Sequence, residues 1–141
     1  MSAALLVALC CTGALLLTTA YFFLGAVPLL TLRHDTPMDA RFVRGFFNTY
    51  YLAAISTAGA TALSCAVAGR PAFALEAAAI ALLAVLLRRT VLSRMDALRA
   101  RVEAGATDVA AAFRRIHGVA LLANFGQLVA IVWTLVAASM P

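Results

Sequence analysis

Four apolar runs, each long enough to cross a bilayer as a helix, constrain this chain more than any other feature. A bilayer core of ~30 Å takes about 20 apolar residues of helix, with about 17 as the short limit. The first run covers residues 3–30, the second 46–68, the third 72–88 and the fourth 116–138. Lipid offers no water to exposed backbone groups, so only helices and closed barrels span it, and runs of this length predict helices. The composition agrees: 65% of the 141 residues are hydrophobic and 12% are charged. That is about half the charged share of a soluble domain, and a soluble chain this small could not bury so much apolar surface. The expected fold is all-α, a single domain over 1–141: a four-helix transmembrane bundle, up-down, with short loops.

The run ends carry their own signals. No Arg or Lys precedes the first run, and it is about twice as long as a signal-peptide core, so it reads as a retained helix that ends at Pro28 and the 31–37 stretch. The second starts near Arg44 with Phe46, Phe47, Tyr50 and Tyr51, which suit the headgroup boundary. It continues with small residues, among them Ala54, Ala58 and Gly59, that let helices pack closely. Gly69-Arg70-Pro71 predicts a short turn into the third helix. The third run's helical pattern continues beyond Leu87, with Val91, Leu92, Met95, Leu98 and Val102 as an apolar stripe that a partner could bind, and Arg99 and Glu103 placed to pair. Gly105 predicts that helix's end, Thr107 the next N-cap with Asp108 behind it, and the fourth helix runs to about Met140. Helices three and four are thus expected to extend into the cytoplasm.

Charge gives the orientation. The net charge is +5, and every basic residue is Arg. Arg33, Arg41 and Arg44 join helices one and two, and Arg88, Arg89, Arg94, Arg99, Arg101, Arg114 and Arg115 lie between helices three and four. Those connections share one side and hold ten Arg; the other side holds only Arg70. The positive-inside bias predicts a multi-pass protein with N and C termini outside the cytoplasm, and the Ala- and Arg-rich, Lys-free composition associates it with a high-GC bacterium and its inner membrane. Arg flanking apolar runs fits anionic lipid headgroups, not nucleic acid.

Polar residues inside the runs are the candidates for chemistry, because they are costly in lipid. Cys10, Cys11 and Cys65 read as small hydrophobes, with no metal-ligand spacing of Cys or His. His34 reads as a solvated loop residue. Glu76 lies a turn into helix three, where it can snorkel outward; the alternative is a protonatable transport site. Folding helices three and four about Gly105 sets Arg94 level with His117 and Arg88 near Asn124. His117 and Asn124 share a face of helix four, Gln127 is within a quarter-turn, and Asn48 is at similar depth. Asn48, Arg88, Arg89, Arg94, His117, Asn124 and Gln127 are therefore the candidate ligand-binding group, with Tyr50 and Tyr51 nearby and His117 the candidate acid, base or ligand. Gly118 and Gly126 leave room for a helix or a ligand. The plainer reading is a set of interhelical hydrogen bonds, each worth ~1 kcal/mol.

The run Phe113-Arg-Arg-Ile-His117-Gly118, with Asn124 and Gln127 following, resembles the last helix of the transmembrane-protein-205-like family of small four-helix membrane proteins. Gly25-Ala-Val-Pro28 and Phe46-Phe47-Asn48-Thr49-Tyr50-Tyr51 are similar as well. That family has no settled activity, so the resemblance implies topology more than chemistry. The chain also resembles the anthrone-oxygenase-like membrane proteins, which have a His in the last helix. That likeness implies cofactor-free oxygenation of a polycyclic phenol, with His117 and Asn124 in the pocket. The chain lacks a Trp beside the His, since Trp133 lies far along the helix.

The leading expectation is a membrane protein that binds an amphipathic small molecule or a partner subunit at its cytoplasmic end, alone or as a homo-oligomer. A small membrane oxygenase comes second. A haem-binding subunit comes third, with His117 as one axial ligand and no second His in a run. A transporter comes fourth, with no inverted repeat to support it. No cofactor other than that haem is expected.

Overall fold

The structure, a computed structural model, describes residues 2–31, 36–106 and 109–139. It holds four helices: α1 (Ala3–Leu29), α2 (Pro37–Val67), α3 (Pro71–Glu103) and α4 (Val109–Ser139), with no strand among the described residues. All four are long and apolar enough to cross a membrane. His34, Arg33, Thr107, Asp108 and Met140, read above as loop, cap and helix-end residues, lie outside the described residues.

Local chemistry sets the helix ends. The Ser2 hydroxyl caps α1 by accepting from the Leu5 N–H at 3.3 Å. α2 starts at Pro37, about two turns before the expected Arg44. Thr36 Oγ1 accepts from the Asp39 N–H at 3.1 Å, Pro37 opens the helix, and Asp39 suits its positive end. That cap signal outranks the low hydropathy of the first turns.

α2 and α3 both end on a glycine in the left-handed region, Gly69 at φ +70° and Gly105 at φ +83°. After α2, Gly69 N–H donates to Ala66 O and Arg70 N–H to Cys65 O; after α3, Gly105 N–H donates to Val102 O and Ala106 N–H to Arg101 O. Both are Schellman closures, which use up carbonyls the helix end would leave bare. Both turns fall where the sequence puts them.

Each helix touches its neighbours in the order α1–α2–α3–α4–α1, and the diagonal pairs stay apart at the backbone. α2 and α3 pack against each other most extensively, and Ala54 and Ala58 of α2 and Ala77 and Ala84 of α3 are all buried, as small residues in closely packed helices allow. Arg44 and Asp96 close one end of it with a two-pronged ion pair, Nε–Oδ1 2.9 Å and Nη2–Oδ2 3.1 Å. The expected Arg99–Glu103 pair is present at 2.8 Å.

Two findings change the sequence reading of apolar residues. Phe47, Tyr50 and Tyr51 are at most 1% exposed and form the larger core with Val91, Met95 and Phe113, so they are interior and not an interfacial belt. The stripe of Val91, Leu92, Met95 and Val102 is also buried, with Leu98 packed at its edge, so it is not a free docking face. A smaller core of Leu15, Ala58, Ile80 and Ile131 lies toward the other end. Outside, Leu17, Leu63, Leu75 and Leu122, one from each helix, stand exposed, as a lipid-facing surface requires.

Candidate functional site

The polar residues of the inner core form a compact cluster between α2 and α4. Tyr50 OH lies 3.0 Å from Asn124 Oδ1 and 2.7 Å from Gln127 Oε1. A phenol has one proton, so it donates to only one of these oxygens. Tyr51 OH and Gln127 Nε2 are buried without a hydrogen-bond partner. Turning the Gln127 amide end over end would set its NH2 against the Tyr50 oxygen and let Tyr50 donate to Asn124; amide orientation is an assignment, and this one satisfies more groups.

His117 is fully buried, with Nε2 3.1 Å from the carbonyl oxygen of Ala26 on α1. A carbonyl only accepts, so Nε2 carries a proton in this arrangement. The Phe47 ring meets the imidazole edge-on, with centroids 5.1 Å apart at 85°. Next to Ala26, Gly25 lets α1 approach α2: a Cβ there would meet Phe46 Cζ at 2.9 Å. Gly118 and Gly126 face open space instead, so the close helix approach expected of them occurs at Gly25.

The seven candidate residues therefore divide into three groups. His117, Asn124 and Gln127 share the inner face of α4 and gather around Tyr50 and Phe47. Asn48 and Arg88 pair across α2 and α3, with Arg88 Nε donating to Asn48 Oδ1 at 3.2 Å. Arg89 and Arg94 are exposed. The helix-hairpin register predicts Arg94 against His117, but it shares a crevice with Arg115, Ile116 and Val119 instead. Two residues are about 200° of helix, so Arg115 faces outward where His117 faces in.

Toward the other end, Glu76 is half-buried and lines a cleft of about 10 Å³ with Thr12, Thr61, Cys65 and Thr134. That holds one water at most. The three cysteines are free thiols: Cys10 is exposed, Cys11 half-buried and Cys65 buried. No group of three or more His, Cys, Asp or Glu among the described residues could hold a metal.

A larger hollow lies elsewhere. A groove of about 910 Å³ runs between α1, α2 and the far end of α3, lined by Tyr21, Phe22, Met38, Arg41, Phe42, Phe46 and the Arg99–Glu103 pair, among others. Its size is that of a small-molecule site, and none of the seven candidates lines it. The sequence signal was Met38, Phe42 and Phe46 at intervals of four, a helical face, obscured because the helix was expected to start after Phe42. Arg41, on the same wall, makes no ion pair with a described residue. Comparison of the chain with family models, with curated proteins and with solved structures finds no match.

Proposed function

We propose that this chain is a multi-pass protein of a bacterial inner membrane that binds an amphipathic small molecule at its cytoplasmic end. The helices alternate up and down, the start of α1 and the end of α4 lie outside, and α2, α3 and α4 project into the cytoplasm. The Arg distribution supports that orientation. The up-down alternation is supported by contacts: Phe22 meets Tyr50 while Gly25 lies against Phe46, and Arg44 meets Asp96 while Asn48 meets Arg88, so each pairing runs opposite in number. α3 has 33 residues, about 50 Å of helix against a ~30 Å hydrocarbon core, so a projecting end follows from length.

The groove carries the binding reading: one wall is aromatic and apolar, and Arg41 supplies a cation with no described partner. A hydrophobic body with an anionic or polar head fits that combination. Native mass spectrometry of the full chain from mild detergent tests it. The expected result is a reproducible added mass, lost in Phe42→Ala and weakened in Arg41→Gln. A bare protein, or a mass retained by both variants, would overturn the groove as a site.

A membrane oxygenase is the second reading, favoured by the aromatic-walled cluster around His117, where the Tyr51 hydroxyl is buried without a described partner. It requires His117→Ala to abolish a turnover of an aromatic substrate while the protein stays folded. The likeness of Phe113–Gln127 to the transmembrane-protein-205-like family supports the four-helix topology and adds no chemistry.

A further inference from the structure

We propose that the crevice between α3 and α4 is a specific site for one anionic phospholipid, whose phosphate is gripped by Arg94 and Arg115. The crevice has a volume of about 270 Å³ and is lined by Leu87, Thr90, Val91, Arg94, Arg115, Ile116 and Val119. Both arginines are exposed, neither makes an ion pair with a described residue, and among the described residues no carboxylate lines the crevice. In the aromatic groove, by contrast, Glu103 engages Arg99 at 2.8 Å. Two uncompensated guanidiniums on facing helices suit a phosphodiester, which accepts from both at once.

The crevice floor completes the match. Leu87, Ile116 and Val119 offer apolar surface below the two cations, backed by the buried Val91, with room for the upper part of one acyl chain. The Thr90 hydroxyl is committed to the Leu86 carbonyl at 2.9 Å, so the head contacts fall to the arginines. Depth agrees as well. About 20 residues from Pro71 cross a bilayer core and reach Val91, and Arg94 stands less than a turn beyond. This inference rests on the membrane placement proposed above and not on the groove. A soluble phosphate would use the same cations but leave the apolar floor uncovered.

The test compares two charge-matched double variants of the full chain. Arg94→Gln/Arg115→Gln removes the clamp. Arg89→Gln/Arg114→Gln removes the same charge from exposed positions of the same helices outside the crevice. Each is reconstituted in vesicles of phosphatidylcholine with a minor share of phosphatidylglycerol, extracted in mild detergent, and weighed by native mass spectrometry. One phosphatidylglycerol per chain should remain on the wild type and on the Arg89/Arg114 variant, and bind about thirtyfold more weakly to the Arg94/Arg115 variant. Equal loss in both variants, equal retention of phosphatidylcholine, or displacement by millimolar inorganic phosphate would overturn the proposal. Phe42→Ala in the same series separates the two sites, since losing the groove should leave the retained phospholipid unchanged.

Discussion

The Tyr50 hydroxyl of α2 stands 2.7 Å from Gln127 Oε1 and 3.0 Å from Asn124 Oδ1 of α4, so one phenol bridges two helices whose backbones lie apart. Tyr50→Phe would leave two buried amides without that partner. It should destabilise the protein by about 1–2 kcal/mol. Adding Gln127→Leu should recover part of the loss, because removing both partners of a buried bond costs less than stranding one. Denaturation in mixed detergent micelles measures both; a fully additive pair would contradict the bond.

His117 should prove structural before anything else. It is held between the Ala26 carbonyl and the Phe47 ring and has no exposed surface. His117→Ala should cost about 2–4 kcal/mol through the lost hydrogen bond and the cavity, while His117→Gln, which can still donate to Ala26, should cost less. Neither should change ligand retention in the groove, measured by native mass spectrometry.

The Arg44–Asp96 pair should contribute little and respond to salt. Its side chains are 36% and 47% exposed, so Asp96→Asn should cost no more than about 1 kcal/mol. The shift in thermal midpoint should be larger in 20 mM than in 500 mM salt, since screening already weakens the wild-type pair.

Glycine substitutions should separate the helix seams. Gly25→Ala places its methyl against the tip of the Phe46 ring at 2.9 Å and should destabilise by about 1 kcal/mol. Gly118→Ala and Gly126→Ala meet nothing within 4 Å and should be neutral or slightly stabilising in the same assay.

Topology can be read directly. A reporter fused after Pro141 should be active only when it matures outside the cytoplasm, and one inserted at Gly105 only when it stays within. The reverse pattern would overturn the orientation inferred from the Arg count.

Most of the fold was legible because the strongest signals were local. Run length gives four helices, and Gly69 and Gly105 mark two of the turns they form. The start of α2 was missed because its opening turns hold Asp39, Arg41 and Arg44, and hydropathy hides a helix that continues past an apolar run. The shared face of His117, Asn124 and Gln127 followed from helical periodicity, which is internal to one helix. Their bridge to Tyr50 did not, because periodicity says nothing about how neighbouring helices are rotated. The same limit makes Arg94 a neighbour of His117 on paper, whereas the rotation of α4 turns Arg115 to the crevice. The groove depends on three helices at once, and the Met38, Phe42 and Phe46 face of α2 marks only one of its walls.

The two seams of α3 are unequal. Toward α2 it is held by Arg44–Asp96, Asn48–Arg88 and an extensive contact, whereas toward α4 it meets less of its neighbour and leaves an open crevice. Mechanically, the molecule is a stiff α2–α3 pair with a more loosely attached fourth helix. Drawn from the bilayer by its C terminus at constant speed, α4 should peel away at low force before the α2–α3 hairpin yields together, and a lipid wedged in the crevice would act as the glue that raises that first rupture.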